Sequence, residues 1–389
     1  MYKIQTLNKI SSRGLEQLPR EDYDVATELN NPDAILVRSA DMHNLDLGNN
    51  LKAIARAGAG VNNIPISKCT EKGIIVFNTP GANANGVKEL VIAAMLLASR
   101  NIVSAVEWCK TLKGKGDEVP KLVESGKKNF VGSELKGKKL GVIGLGAIGS
   151  KVANAAESMG MKVTGYDPFI SVEAAWGLSQ SVKKAKSLDH LLTDSDYITL
   201  NVGLNDKTKN MINEEKFGLM KKGVCIINMA RGGLLDNNAL QKAIGEGIVS
   251  RYVTDFPDDQ LLGMDKVIAI PHLGASTDES EENCAFMAVK QVKDFLEKGN
   301  IVNSVNFPIC EMDMSTGTRI LIANKNVPNM VGQITAILAK ENLNIADMLN
   351  RNKGDFAYNI IDVEKEVSQN IVEDLKSIDG VIMVRVINK

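Results

Sequence analysis

The sequence predicts an α/β fold of two open parallel sheets followed by a small domain of strands and helices in mixed order. Three observations predict it. Over residues 1–305, short apolar runs that end in polar, glycine-rich loops alternate with helical segments. One of those runs, residues 139–143, enters a tight glycine turn and leaves as a helix. After residue 317 the rhythm changes to strand, helix, strand, strand, helix, strand.

The glycine turn is the most informative stretch. Residues 139–149 read KLGVIGLGAIG. Gly144 permits the sharp turn, Gly146 lets backbone approach a pyrophosphate, and Gly149 lets the helix lie close on the strand. Phosphate charge then sits at the helix N-terminus. Val152, Ala153, Ala156 and Met159 recur at helical spacing, Gly160 stops the helix, and residues 162–166 form the next strand. That strand ends at Asp167, 18 residues after Gly149. A carboxylate there accepts hydrogen bonds from a ribose diol and repels a 2′-phosphate, so the expected cofactor is NAD rather than NADP. Strand, turn, helix and acid together predict a Rossmann-type, doubly wound parallel sheet.

Composition bounds the rest. A chain of 389 residues with 44% hydrophobic content has room for two or three domains with sizeable cores. Basic and acidic residues number 46 and 47, so no basic field exists to hold nucleic acid. Five scattered cysteines (Cys69, Cys109, Cys225, Cys284, Cys310), with no C-x-x-C pair, read as buried thiols of a reducing compartment rather than disulfides or a metal site. The N-terminus lacks the apolar core of a signal peptide, and no run approaches the ~20 apolar residues of a membrane span. The expectation is a cytoplasmic protein without metal or membrane.

Taken in order, residues 34–39, 51–63 and 73–78 are strands with polar exits, 89–99 is a buried helix connecting two domains, and 114–126 is an exposed connection. Beyond Asp167, residues 188–192 lie in a short helix and 197–202 in a strand. Gly223 ends a helix before the strand 224–229, residues 237–245 form a helix, and the strand 251–254 ends at Asp255. The strand 266–270 delivers Pro271 and His272, and the amphipathic helix 280–298 returns the chain to its first domain. After a linker over 306–317, strands 318–323, 344–351, 356–363 and 381–387 alternate with helices 330–340 and 369–378, a ferredoxin-like βαββαβ order. The expected domains are 1–98 with 284–305, 99–283, and 318–389.

Three histidines compete for acid/base work. His43 lies in a polar loop and His190 on a helix surface, whereas His272 follows a strand and stands at the carboxyl edge of the sheet. Arg231 also follows a strand and is flanked by small residues, so its guanidinium is open to a substrate carboxylate and to an oxygen gaining charge. Between them lies Asp255-Phe256-Pro257-Asp258-Asp259, a source of a carboxylate for His272. Asp258 and Asp259 are equivalent on this reading.

Residues 144–149 (GLGAIG), 228–233 (NMARGG) and 271–277 (PHLGAST), with Arg38-Ser39 and 56–63 (RAGAGVNN), resemble the D-isomer-specific 2-hydroxyacid dehydrogenase family over residues 1 to about 305. The C-terminal domain resembles ACT effector domains. The resemblance implies a flavodoxin-like substrate domain interrupted by the NAD domain, and a catalytic set of Arg231, Asp259 and His272. Asp259 takes the place of the family's glutamate only after one deletion, because the family's Asp-Val-Phe-x-x-Glu-Pro is here residues 255–260, DFPDDQ. Asp255 would contact the nicotinamide carboxamide. Ala59, Gly144, Gly146, Ala147, Ile148, Gly149, Asp167, Met229, Ala230 and Gly274 would line the cofactor.

The same resemblance puts Arg38, Ser39, Arg56, Gly58 and Gly60 on the substrate, with Lys127 and Lys128 at positions that reach a phosphate across a dimer interface. Residues 201–203, Asn-Val-Gly, replace the family's histidine and proline. The implied activity is NAD-dependent oxidation of 3-phospho-D-glycerate to 3-phosphohydroxypyruvate, the first step of L-serine biosynthesis, in a homodimer or homotetramer. ACT domains that bind L-serine use amide and histidine side chains at about the places of Asn324, Asn326 and Asn344, with Asn324 standing where a histidine can occur and Asn329 where glycine is usual. The alternatives are reduction of glyoxylate or hydroxypyruvate, and a non-catalytic NAD-sensing protein.

Overall fold

The computed structural model describes residues 1–388 and divides the chain into two compact units, Met1–Ala82 with the segment from Glu281 onward, and Asn83–Ser280. These divisions fall ahead of the 98/99 and 283/284 boundaries expected from sequence. The reason is the helix Ala84–Ser99, whose Val87, Val91, Ala94 and Met95 are buried in the core of the second unit.

The first unit contains a parallel sheet of β1 (Tyr2–Leu7), β2 (Tyr23–Ala26), β3 (Ala34–Val37), β4 (Ala53–Arg56) and β5 (Ile75–Phe77), in the order β2-β1-β3-β4-β5. This is the flavodoxin-like order. Strands β1 and β2 escape a hydrophobicity reading because Lys3, Gln5 and Asp24 interrupt their apolar residues. One face of the sheet buries Ile4, Leu36, Ala55 and Phe77 with Ala288, Val292 and Phe295 of the helix Asp278–Lys298. The other buries Ile35, Val37, Ile54 and Val76 with Met42, Leu47 and Ile64.

The second unit holds seven parallel strands: β6 (Lys139–Ile143), β7 (Lys162–Tyr166), β8 (Lys183–Lys184), β9 (Tyr197–Leu200), β10 (Val224–Asn228), β11 (Val249–Thr254) and β12 (Val267–Ala269). Their order, β12-β11-β10-β9-β6-β7-β8, reverses direction between β6 and β9, and a ligand crevice forms outside the strand ends at such a switch point. Residues 114–126 are more ordered than an exposed connection. They include the helix Val119–Gly126, with proline in its first turn, and a side chain on Gly126 would strike the Trp108 ring. Trp108 itself lies in a further helix, Ile102–Lys110, against Phe130. Among the described residues no single helix is long and apolar enough to cross a membrane. Of the five cysteines, all thiols, only Cys109 is exposed.

The C-terminal part of the first unit is an antiparallel sheet of β13 (Thr318–Lys325), β14 (Ile345–Lys353), β15 (Phe356–Val363) and β16 (Val381–Asn388), ordered β14-β15-β13-β16. With helices Met330–Lys340 and Gln369–Lys376 this is the ferredoxin-like arrangement, compatible with an ACT domain. Ile320, Ile322 and Ile361 face the helices. Leu321, Ala323, Tyr358 and Ile360 face the other way and join the same core as Ile4 and Phe77.

Polar anchors reinforce that junction. Tyr358 Oη donates to the Gly299 carbonyl at 2.9 Å, and the Arg385 guanidinium lies over the Phe295 ring and donates to the Leu296 carbonyl. Arg319 and Asp362, both fully buried, form a two-pronged pair at 2.6 and 2.9 Å. Arg319 Nη1 donates to the carbonyls of Lys298 and Met312, and Asp362 accepts from Ser315 N and Oγ. Burial works to raise the Asp362 carboxyl, but Arg319 and Ser315 outweigh it and hold the group below its ordinary range.

Candidate active site

The glycine turn meets its steric requirements. Gly144 has φ +86°, and a Cβ on Gly149 would lie 1.9 Å from the Gly144 carbonyl oxygen, so the helix Gly149–Ser158 starts against bare backbone. Beside Gly146 the space is open to 4 Å, as a close-approaching phosphate group requires. Ala147 is exposed and Ile148 half-buried on the same turn. At the exit of β7, Asp167 accepts from Leu145 N through Oδ2 and from Phe169 N through Oδ1, both at 2.8 Å. Its carboxylate is thus fixed beside the turn with lone pairs left for a ribose diol. Where the family has histidine and proline, Asn201 N donates to Ile143 O across the switch point.

At the exit of β10 the buried Asn228 builds the Arg231 loop. Its Oδ1 accepts from Ala230 N and Arg231 N, and its Nδ2 donates to Arg231 O at 2.8 Å and to Tyr252 Oη at 3.1 Å. Met229 is buried and Ala230 half-buried in that turn, which leaves the Arg231 side chain exposed. Arg231 and His272 are brought to one aromatic ring. The Arg231 Cζ lies 5.9 Å from the Phe256 centroid, and the His272 ring lies 4.4 Å from it at 47°. Phe256 escaped the sequence reading because a loop aromatic carries no spacing signal for what it separates.

The acidic loop sorts itself by burial. Asp255 is buried, its Oδ2 accepts from Gly274 N at 3.3 Å, and its Oδ1 has no partner. Burial pushes its carboxyl above the ordinary value, and the charge of His272 and the Gly274 N–H pull it back. A buried acceptor without a donor suits the amide of a carboxamide, so Asp255, Asp167 and the open glycine turn fit a nicotinamide dinucleotide. Asp258 caps the helix Asp259–Leu262 through Leu261 N and accepts from Asn237 Nδ2. Asp259 is exposed, and among the described residues it makes no hydrogen bond to His272. The loop carboxylate that lies buried is Asp255, whereas Asp259 is exposed in the first turn of that short helix.

The substrate-side residues lie in the first unit. Asn8, in the left-handed region at φ 70°, holds Ser39 N and Ala40 N through Oδ1. Arg56 Nε donates to Arg38 O at 3.0 Å, and a side chain on Gly58 would fall 2.4 Å from Arg56 Nη1. Asn78 Nδ2 donates to Ala59 O at 2.7 Å, and Gly60 is half-buried on the same loop. Arg38 Nη2 pairs with Glu281 Oε1 at 2.7 Å. Lys127 pairs with Glu124 on the surface of the second unit, and Lys128 is exposed.

In the C-terminal domain the three asparagines diverge. Asn324 is buried, accepting from Asn359 Nδ2 at 2.7 Å and donating to Lys325 O. Asn326 and Asn344 are exposed and bind Gly354 O and Glu364 Oε1. The strand register turns Asn324 inward, which no turn-residue pattern reveals.

Residues 92–274 match the model of the D-isomer specific 2-hydroxyacid dehydrogenase NAD binding domain. The chain is similar to the D-3-phosphoglycerate dehydrogenase of Haemophilus influenzae, 34% identical over 341 residues, 84% of this chain and 79% of that one. It is also similar to the hydroxypyruvate reductase of Thermotoga maritima, 40% identical over 272 residues, 67% of this chain and 83% of that one. The crystal structure of NAD+-bound 3-phosphoglycerate dehydrogenase from Entamoeba histolytica is 28% identical, with a TM-score of 0.61 over 78% of this chain and 98% of that one. Other matched relatives named D-3-phosphoglycerate dehydrogenase are longer, and the chain spans only 52 to 60% of their length. With a glycine turn, a strand-end acid and an arginine–histidine pair at one sheet edge, the chain belongs to the D-isomer specific 2-hydroxyacid dehydrogenases.

Proposed function

We infer that the chain oxidises 3-phospho-D-glycerate to 3-phosphohydroxypyruvate, the first step of L-serine biosynthesis. The observation that carries the chemistry is the placement of Arg231 and His272 on one ring, Phe256. Arg231 anchors the substrate carboxylate and polarises the C2 oxygen. His272 takes the hydroxyl proton as the C2–H bond breaks, a contribution of roughly 10²–10⁴ in rate. NAD, when bound, supplies the acceptor for the C2 hydride. Asp255 would accept the carboxamide N–H at Oδ1 and balance the positive charge that His272 gains with the proton. Arg38 and Arg56, tied together at adjacent strand ends, are assigned to the anionic far end of the substrate.

Support for the phosphorylated substrate comes from that arginine pair and from the Haemophilus relative; the Thermotoga relative favours hydroxypyruvate as the second reading. Steady-state rates with 3-phosphoglycerate, D-glycerate, hydroxypyruvate and glyoxylate separate the two. NADH formation from 3-phosphoglycerate, lost in His272→Ala with NAD binding retained, is the expected result. Turnover of the unphosphorylated acids alone removes the assignment.

Two finer assignments accompany it, in a cytoplasmic enzyme. Exposed Leu96, Ile102, Val103 and Val106 give the second unit an apolar face suited to a homodimer, or to one interface of a homotetramer. Asn326 and Asn344 remain open to an L-serine effector, while Asn324 must first leave Asn359. Rates that do not change with millimolar serine remove the effector.

A further inference from the structure

Arg38 faces a carboxylate of its own chain. Its Nη2 stands 2.7 Å from Glu281 Oε1, with both side chains 39% exposed. The loop that carries it is held from behind, by Asn8 on Ser39 N and Ala40 N and by Arg56 Nε on Arg38 O. Glu281 lies in the first turn of the 21-residue helix Asp278–Lys298, an end where negative charge is favoured. The buried Cys284 thiol on that helix senses the cluster: burial raises it, Arg56 and Arg38 pull it down, and Glu281 pushes it up. Two arginines and one glutamate therefore share a small volume at the exits of β3 and β4.

We propose that Glu281 is a specificity-determining residue that competes with the anionic end of the substrate for Arg38. The proposal rests on the assignment of Arg38 to that end. A half-exposed ion pair is weak, so a ligand displaces it readily. What displaces it is decided by charge. A phosphoryl group brings close to two negative charges and three acceptor oxygens and takes the guanidinium fork from a single carboxylate oxygen. A neutral hydroxymethyl group brings neither and leaves Arg38 with Glu281. The displaced carboxylate remains close to the phosphoryl group, so Glu281 lowers affinity for the very ligands that Arg38 attracts. The affinity of the pocket for phosphorylated acids is set below what two arginines alone would give.

The test is the isosteric Glu281→Gln, which removes the charge and keeps an amide that can still pack on the helix. KM for 3-phosphoglycerate should fall about two- to fivefold, the range of an exposed pair, with kcat unchanged. KM for D-glycerate or hydroxypyruvate should not move. Arg38→Ala is the companion and should raise KM for 3-phosphoglycerate more than tenfold. If Arg38→Ala leaves that KM unchanged, the assignment of Arg38 has failed. If Arg38→Ala raises it while Glu281→Gln leaves it unchanged, the competition alone is overturned. A raised KM in Glu281→Gln also overturns it, since Glu281 would then be holding Arg38 in place for the substrate.

Discussion

Removing the Asp362 carboxylate should be among the most costly single changes in the C-terminal domain. The partner it leaves behind, Arg319, is 0% exposed and keeps only the Lys298 and Met312 carbonyls on Nη1. Its Nε and Nη2, now 2.6 and 2.9 Å from carboxylate oxygens, lose their acceptors. Breaking a buried pair from one side costs roughly 3–5 kcal/mol, because an uncompensated charge stays inside. Asp362→Ala should fall in that range. Arg319→Met with Asp362→Leu should cost less than half as much, since the half-buried Met312 and the exposed Ser315 can turn to water. A chain of two units does not unfold in one step, so hydrogen exchange of the β13 and β15 amides is the appropriate measurement, with calorimetry beside it.

The pH dependence has a definite sign. The Asp362 carboxyl is held below its ordinary value of 3.8, so its stabilisation is complete above that value and is lost only as pH falls through the lowered one. The gap between the wild type and Asp362→Ala should be flat from pH 8 to 5. A loss below about 1 kcal/mol in Asp362→Ala, or a double variant as damaged as the single one, would refute the reasoning.

Other outcomes follow from the site. Gly149→Ala sets a Cβ against the Gly144 carbonyl, and should cost about 1–3 kcal/mol and abolish NAD binding in a fluorescence titration. Asp255→Asn should make the free enzyme more stable to heat at neutral pH. The raised carboxyl gives up stability as pH rises through its folded value, so the variant's advantage should shrink as pH falls towards 3.8. Asp259→Asn should change kcat/KM less than about twofold, since the exposed Asp259 makes no hydrogen bond to His272 among the described residues. Phe256→Ala should lower kcat by about tenfold with NAD affinity retained, since it removes the surface on which Arg231 and His272 rest.

Much of this fold was legible because the decisive features are local. Gly144 and Gly149 are demanded by the backbone around them, and β13 to β16 are long enough to show their pattern. Strands β1 and β2 were illegible because their polar residues alternate inside a sheet whose burial comes from elsewhere in the chain. The helix Ile102–Lys110 is illegible for a related reason, having no buried residue of its own. At the site, Arg231 and His272 could be found because strand exits announce them. The difference between Asp258, which caps a helix, and Asp259, which is exposed, could not, because one residue of rotation separates them. Asn228 and Phe256 act between loops, and Asn324 is captured by a strand distant in sequence.

The shared core of the first unit also orders events at the ribosome. The strands β1 to β5 precede Ala288, Val292 and Phe295, which cover Ile4 and Phe77, by some 200 residues. At ~5–20 residues per second that interval is roughly 10–40 s. During it the second unit, continuous from Asn83 to Ser280, can complete its sheet, while the N-terminal sheet waits with one apolar face uncovered. Strands β1 to β5 are therefore made before the second unit and covered after it. A chaperone that acts on the nascent chain should be found on residues 1–82.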